Sequence, residues 1–301
     1  MNVSPVEIED AEFDLLRNYI RRTCGISLGD DKRYLVVSRL RPLLAEKGCR
    51  SFGEFYTRFA AGNDVAMRNR IVDAMTTNET LWFRDGFPWV ALRDEVLPAL
   101  EHRLVQGETH QLRIWSAACS TGQEPYTIAM VVDDYCTRSR LLRPSNVEII
   151  ATDISPAALF VARSGRYDSV SMSRGLTDQF ATYRTRYFKS AGAMSEVVSS
   201  IKGQVKFRTH NLQDHPAGLG RFDLVYLRNV AIYFAPDFKK ELFDRIADVL
   251  NPGGLLCLGV SETVSGYSTR FRPQTYGRAV FHSLIPRASP ALQGFAVGGR
   301  S

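Results

Sequence analysis

The sequence contains no long apolar run. Its richest uncharged apolar stretch, residues 255–260, is six residues long, whereas a membrane-spanning helix needs about 18. Residues 1–14 are acidic rather than basic, and no apolar signal core follows them. These absences predict a cytoplasmic protein that does not insert into a membrane.

Cysteine and histidine are also scarce. The chain has five of each; the cysteines are scattered and no pair has the CxxC spacing. A disulfide framework and a zinc site are therefore not indicated, and we expect no metal.

Basic residues outnumber acidic residues in the sequence. The formal net charge is +6 and the isoelectric point is about 9.1, which suggests an anionic partner without naming its class. The interleaved aromatic and basic residues of a single-strand nucleic-acid platform are missing. We therefore expect no nucleic-acid partner.

The first 85 residues have helical periodicity. Apolar residues at spacings of three and four predict an amphipathic helix over residues 7–23. Pro42 should kink the second helix or mark its boundary. Predicted helices begin at Glu7, Asp30, Ser51 and Asn63.

From residue 112 onward, short apolar runs alternate with helical patterns, which predicts a doubly wound parallel sheet with right-handed crossovers. Predicted strands are 112–117, 147–152 and 222–227, and predicted helices are 124–135, 156–162 and 236–250. Residues 165–206 interrupt this alternation, and we expect an inserted antiparallel β unit there. The predicted parts are a helical N-terminal domain with linker (1–85), a sheet domain (86–285) and a flexible tail (286–301).

The segment 115–126 joins a predicted strand to a helix that begins at Pro125. Small residues around Gly122 let a ligand approach the backbone, and free amides at the helix start can face its polar groups. Glu124 lies at this helix start. The position suits a nucleotide cofactor in a doubly wound sheet, although a single glycine is not the dinucleotide motif and a merely tight turn is the alternative.

Asp153 ends the next predicted strand, about 30 residues further on. Its carboxylate can accept the two hydroxyl hydrogens of a ribose, or it can cap the following helix. Combined with segment 115–126, it favours a cofactor that carries an adenosine.

Polar residues follow two further predicted strands. Asn211 follows a predicted strand at 205–208 and can read an adenine edge or hold a turn. Arg228 and Asn229 come directly after strand 222–227 and should point into the ligand crevice. Tyr233 either lines this pocket or belongs to the core.

Two charged segments leave alternatives open. Arg84, in segment 76–85 between the helices and the sheet, can bind a carboxylate with two hydrogen bonds or form a surface pair with Asp85. Residues 32–50 hold six basic residues and one acid, a local excess of +5. That excess indicates a solvated helix face or a docking surface for an acidic partner.

Taken together, these segments resemble the bacterial chemotaxis receptor glutamate O-methyltransferases (CheR) from about residue 12 to about residue 282. The most specific blocks of the resemblance are Thr77-Asn78-Glu79-Thr80 with Phe83-Arg84; segment 115–126; Ala151-Thr152-Asp153-Ile154; Arg228-Asn229-Val230 with Ile232-Tyr233-Phe234; and residues 250–254 with Gly259-Val260-Ser261-Glu262.

The resemblance implies a class I methyltransferase: a Rossmann-like doubly wound sheet, a small all-helical N-terminal domain and an inserted antiparallel β subdomain. It implies S-adenosylmethionine as cofactor and S-adenosylhomocysteine as product. By resemblance, Tyr233 lies beside the transferred methyl and is, with Arg84, a candidate catalytic residue. The implied cofactor contacts are Asn78, Thr80, Arg84, Glu124, Asp153, Asn211, Leu212, Arg228 and Asn229.

The implied substrates are glutamate side chains on the cytoplasmic helices of chemotaxis receptors, which become methyl esters. The basic residues expected to dock these helices are Lys32, Arg33, Arg39 and Arg41. Segment 189–204 is shorter than in members that bind a peptide at the receptor's carboxyl end, so we expect no such tether. We also expect a monomer.

Three other hypotheses remain at this stage. A methyltransferase of similar fold could act on a small molecule or on another protein, the charge alone could indicate a nucleic-acid-binding module, and a degenerate family member could serve as a scaffold. Glutamate methylation suits the residues because a carboxylate attacks an activated methyl without a general base or a metal.

Overall fold

The computed structural model describes residues 7–62, 64–176 and 178–285, so the predicted tail 286–301 and the predicted helix start Asn63 lie outside the described residues. The helices are α1 Asp10–Cys24, α2 Arg33–Glu46, α3 Phe52–Phe55, α4 Val65–Met75, α5 Phe87–Ala91, α6 Leu97–Val105, α7 Gln123–Cys136, α8 Pro156–Ser164, α9 Ser169–Ser173, α10 Ala181–Tyr187, α11 Ser199–Lys202 and α12 Pro236–Val249. The strands are β1 Leu112–Ala117, β2 Val147–Asp153, β3 Arg166–Tyr167, β4 Phe188–Ala191, β5 Met194–Val197, β6 Val205–Thr209, β7 Phe222–Leu227, β8 Leu250–Leu258, β9 Phe271–Tyr276 and β10 Ala279–Leu284.

Helices α1 to α4 enclose a hydrophobic core of their own, to which α1 contributes Phe13, Leu16 and Ile20. The apolar spacing in the sequence predicted this buried face. Helix α1 ends at Gly25, whose positive φ of 76° suits a left-handed cap. A Cβ there would lie 2.9 Å from the Phe238 ring. Pro42 lies within α2 rather than at its boundary.

The central sheet has seven strands in the order β6-β2-β1-β7-β8-β10-β9. Strand β1 pairs in parallel with β2 on one side and with β7 on the other. Strands β10 and β9 join antiparallel at the far edge. The strand order reverses at β1, and a ligand crevice in such a sheet lies at this reversal, outside the carboxyl ends of the strands.

Both faces of the sheet are covered by helices. On β7, Leu224 and Tyr226 pack in the layer that contains α7, whereas Val225 and Leu227 pack in the layer that contains α12. Burial on both faces explains why the central strands are near-continuous apolar runs rather than alternating ones. The predicted doubly wound sheet is confirmed by this arrangement.

The inserted antiparallel unit is present between α8 and β6. It consists of the three-stranded sheet β3-β5-β4 together with α9 and α10. One boundary differs from the expectation: Val205 begins β6, which pairs with β2 at the edge of the central sheet. Pairing across the sheet, which local sequence does not encode, places these residues in the main domain.

The helical region packs over the carboxyl edge of the sheet. Ser155 at the start of α8 donates a 2.6 Å hydrogen bond to Asp73 of α4. The amide of Ser27 donates to the carbonyl of Tyr233, and Ile26 forms a bridge with Phe234. These contacts close one side of a cleft at the strand ends.

In the part of the chain that the structure describes, no helix combines the length and the apolar composition needed to cross a bilayer. The same residues include no group of three or more histidine, cysteine, aspartate or glutamate side chains arranged to hold a metal ion.

Candidate active site

One cleft contains all ten residues that the sequence nominated for the site. It encloses about 890 Å³, including space open to solvent. Its walls come from the end of α1, from the interdomain segment 76–86 and from the carboxyl ends of β1, β2, β6 and β7. The nominated residues in its lining are Asn78, Thr80, Arg84, Glu124, Asp153, Asn211, Leu212, Arg228, Asn229 and Tyr233.

The turn between β1 and α7 forms the floor of the cleft. Its backbone has positive φ angles at Ala118 (58°), Ser120 (51°) and Gly122 (97°). A Cβ at Gly122 would lie 3.0 Å from that of Ala162 on α8, so glycine is required for the two helices to pack this closely.

Asp153 is held by the backbone at the end of β2. Its carboxylate oxygens accept hydrogen bonds of 2.7 Å from the amide of Ser120 and 2.8 Å from the amide of Ser155. Burial raises the pKa of this carboxyl above its usual range, while these amides act in the opposite direction. Each oxygen keeps a lone pair, so the anchored carboxylate can still accept hydrogens from a ribose.

Arg228 lines the cleft and is also bound to the protein itself. Its side chain is 1% exposed and its guanidinium is paired with Asp85 at 2.5 Å and with Glu124 at 3.4 Å. It also donates a 3.0 Å hydrogen bond to the carbonyl of Arg84. The side chain therefore joins the interdomain segment to the start of α7.

Glu124 is held from two sides. Its carboxylate accepts a 2.8 Å hydrogen bond from the hydroxyl of Ser116, and Arg228 contacts its other oxygen. Burial raises the pKa of Glu124, and the neighbouring Arg228 partly offsets that rise. A fixed acid at the start of α7 suits the ammonium or hydroxyl groups of a cofactor.

Asn211 holds a turn in this structure. Its side-chain oxygen accepts from the amide of Gln213 at 3.1 Å, and its side-chain nitrogen donates to the carbonyl of Thr23 at 2.8 Å. Of the two roles that the sequence left open, the geometry favours the turn. Leu212 beside it is buried and lines the cleft.

Several nominated side chains have polar groups without partners in the described residues, among them Arg84 and Tyr233. The half-buried guanidinium of Arg84 and the hydroxyl of Tyr233 both belong to the lining of the cleft and form no ion pair or hydrogen bond there. They are therefore available to a ligand.

Glu262 is a structural residue of the site to which sequence reasoning gave no role. Its carboxylate accepts three backbone hydrogen bonds: 2.5 Å from Asn229, 3.0 Å from Val230 and 2.9 Å from Gly259. These bonds fix the left-handed turn at Asn229, where φ is 58°. The only signal in the sequence was its place in the Gly-Val-Ser-Glu block, which does not reveal bonds to a neighbouring loop.

Backbone strain is concentrated around the cleft. In the described ranges, the non-glycine residues with positive φ are Phe83, Asp85, Ala118, Ser120 and Asn229. All five lie in the interdomain segment, the β1–α7 turn or the loop after β7. Such conformations cost about 1–3 kcal/mol each and persist where surrounding contacts enforce them, commonly at functional sites.

The Cys24 thiol in the lining is unsuited to nucleophilic attack. Burial raises its pKa to about 11, so it remains protonated at neutral pH. The geometry favours a site that binds and orients reactants.

Comparison with known families agrees with this geometry. Residues 78–279 match the family model described as CheR methyltransferase, SAM binding domain, and residues 11–76 match CheR methyltransferase, all-alpha domain.

The chain belongs to the CheR methyltransferase family.

Curated relatives support this assignment over most of the chain. Chemotaxis protein methyltransferase 1 of Pseudomonas aeruginosa is 42% identical over 264 residues, which cover 87% of this chain and 94% of the relative. The chemotaxis protein methyltransferase of Vibrio parahaemolyticus is 42% identical over 283 residues and is covered completely, with 94% of this chain aligned. A relative from Borreliella burgdorferi is 31% identical and covers 87% of this chain.

This CheR family member is an S-adenosylmethionine-dependent methyltransferase, and most of the residues that line the cleft belong to the matched SAM binding domain. The residues present fit the cofactor. Asp153 offers anchored carboxylate oxygens, Arg84 an unpaired cation and Asn229 a buried side-chain oxygen that has no partner.

We expect Asp153→Asn to weaken S-adenosylhomocysteine binding by about 10-fold or more, because a charge-assisted hydrogen bond contributes about 1.5–3 kcal/mol. Wild-type affinity should also fall in mild acid. A protonated carboxyl is a poorer acceptor, and the raised pKa of Asp153 starts this loss at a higher pH than for an exposed aspartate. Calorimetric titration over a pH series measures both effects.

The matched control is Asp168→Asn, which removes an exposed carboxylate that caps α9. Its affinity should equal that of the wild type. An Asp153→Asn chain that binds the product normally would remove Asp153 from the cofactor site.

Proposed function

We propose that this protein transfers the methyl group of S-adenosylmethionine to glutamate carboxylates of chemotaxis receptors and forms glutamate methyl esters. The observation that carries the proposal is the single cleft, which gathers every nominated residue from the sheet and the interdomain segment. The names of the relatives, chemotaxis protein methyltransferases from several bacteria, support the choice of substrate.

The chemistry requires alignment more than proton transfer. S-adenosylmethionine supplies an activated sulfonium methyl, which a glutamate carboxylate, already ionised at neutral pH, can attack without a general base. Holding two reactants in line can lower a barrier by about 7–11 kcal/mol. Rigid walls and fixed side chains are therefore the main requirement of the site.

We assign the nominated residues to this alignment. Asp153 binds the ribose hydroxyls, and Asn78 and Thr80 contact the cofactor from the interdomain segment. Arg84 pairs with the carboxylate of the cofactor, because a strong positive charge on the attacking glutamate would oppose its reaction with a cation. Tyr233 orients the methyl or the attacking oxygen with its free hydroxyl.

We also propose that the helical N-terminal domain docks the receptor in the cytoplasm through the basic side of α2. Lys32 and Arg41 are exposed there. Lys32 pairs with the exposed Asp31, and Arg33 is paired with Asp10; surface pairs of this kind are weak enough to be exchanged. Arg39 also belongs to this predicted set, but its guanidinium is turned toward the interdomain segment. A monomer that needs no peptide tether completes the proposal.

The test of the reaction is a methyl-transfer assay with labelled S-adenosylmethionine and receptor-containing membranes. A glutamate ester should release its label as volatile methanol after treatment with base. Alkali-stable label would indicate methylation of nitrogen or carbon and would reject the ester-forming function. Label on a small molecule, with none on the receptors, would favour the alternative substrate class.

The free hydroxyl of Tyr233 leads to a kinetic prediction. Tyr233→Phe should lower kcat by about 10-fold, which corresponds to the loss of one hydrogen bond of about 1.4 kcal/mol. S-adenosylhomocysteine affinity should change much less, because the phenyl ring remains. Steady-state kinetics and calorimetry separate the two quantities.

Tyr276→Phe is the control, since that hydroxyl bonds Gln274 on β9. The opposite pattern for Tyr233→Phe, with weakened binding and normal kcat, would make Tyr233 a binding residue only.

The docking proposal predicts a charge effect. The double change of Lys32 and Arg41 to Glu should slow receptor methylation and preserve S-adenosylhomocysteine affinity, because both side chains lie outside the cleft lining. Wild-type methylation should fall as salt rises. Lys240→Glu on α12 is the control for a reversed exposed charge. Methylation that is insensitive to both salt and α2 reversal would contradict a basic docking face.

A further inference from the structure

The basic residues of α2 do not share one environment. Arg39 is half-buried, and its guanidinium is turned toward the end of α4. One nitrogen donates to the carbonyl of Met75 at 2.7 Å and to that of Thr76 at 3.3 Å, and the other donates to the hydroxyl of Thr77 at 3.0 Å.

These acceptors lie where α4 becomes the interdomain segment. The last carbonyls of a helix have no partner within the helix and carry the negative end of its dipole. A guanidinium at this position satisfies two such carbonyls and interacts favourably with the dipole. Arg39 thus fixes the direction in which the chain leaves α4.

The segment that leaves α4 forms one wall of the cleft, since Thr76, Thr77 and Asn78 all line it. The side chain of Asn78 donates to the hydroxyl of Thr76 at 3.3 Å, and the carbonyl of Asn78 accepts from the hydroxyl of Ser120 at 2.9 Å.

Ser120 in turn holds Asp153 through its amide. A series of residues joined by hydrogen bonds therefore leads from the guanidinium on α2 to the carboxylate that we assign to the ribose.

The geometry points to Arg39 as a positioning residue of the cofactor pocket. By holding the carbonyls of Met75 and Thr76 and the hydroxyl of Thr77, it sets the placement of Asn78 and Thr80 against the cofactor. This inference goes beyond the proposed function and does not depend on the identity of the methyl acceptor, because it concerns cofactor binding by the enzyme alone.

The test compares two arginines that both join α2 to α4. Arg70 of α4 pairs with Glu46 of α2, with one nitrogen–oxygen distance of 2.6 Å, and it is absent from the cleft lining. Arg39→Met and Arg70→Met remove the same charge and a comparable link between the same helices. Only the first change removes the contacts to residues 75–77.

We expect Arg39→Met to raise the dissociation constant of S-adenosylhomocysteine by about 10-fold, measured by calorimetry without a receptor. KM for S-adenosylmethionine should rise by a similar factor while kcat at saturating cofactor changes less. Arg39→Lys should restore part of the affinity, because an ammonium can still donate to one carbonyl. Arg70→Met should bind the product as the wild type does.

Equal losses in Arg39→Met and Arg70→Met would overturn the inference, since general loosening of the two helices would then explain both. Wild-type affinity in Arg39→Met, with slower receptor methylation only, would also overturn it and would return Arg39 to the docking surface. If Arg39→Met does not fold, Arg39→Lys provides the same comparison: a loss of affinity relative to Arg70→Met supports the inference, and wild-type affinity rejects it.

Discussion

The cleft depends on one buried cation. The Arg228 guanidinium contacts Asp85 in the interdomain segment and Glu124 at the start of α7, and the end of strand β7, which Arg228 directly follows, supplies the third wall. A buried ion pair compensates for its desolvation only when its geometry is good and its remaining donors are used. Here one nitrogen serves both the Asp85 carboxylate and the Arg84 carbonyl, a second contacts Glu124, and the buried Nε has no partner within the described residues. Removing one member of such a buried pair typically lowers the stability of the fold by about 3–5 kcal/mol. The ion pairs of Arg228 therefore constrain the relative positions of the three walls.

Backbone amides fix the orientation of two carboxylates in and beside the cleft by donating hydrogen bonds to them. Asp153 is fixed by two amides and Glu262 by three. These carboxylates need no mobile cation to stay in place, so their orientation is set before a ligand arrives, and preorganised polar groups require no rearrangement when the ligand binds. The polar side chains of the cleft thus include some that are engaged with the protein, such as Asp153, and some with groups still available, such as Arg84, Tyr233 and the side-chain oxygen of Asn229.

Local patterns in the sequence were sufficient to predict the main secondary-structure elements and the residues that line the cleft. The bounds of β1 and β7 and the buried face of α1 follow from periodicity, and polar residues at strand ends converge because parallel strands share a carboxyl edge. The partners of those residues could not be predicted in this way. Arg228 contacts Asp85 across 143 positions of the chain, and Asn211 contacts Thr23 across 188. Such pairs are determined by how the helical domain packs on the sheet, which no short window of sequence contains.

The interdomain segment shows why a separate helical domain contributes to a cofactor site. The segment belongs neither to the bundle nor to the sheet, yet it supplies a wall of the cleft. A free linker would be too mobile to align two reactants, because each unrestrained residue retains about 1–2 kcal/mol of backbone entropy. Here Arg39 fixes its first residues, Ser120 its middle and Arg228 its last turn. Since all three anchors belong to the helical domain or to the sheet domain, the rigidity of the wall is a property of the packed domains. A substitution on α2, far from the sheet, can therefore change how the cofactor is bound.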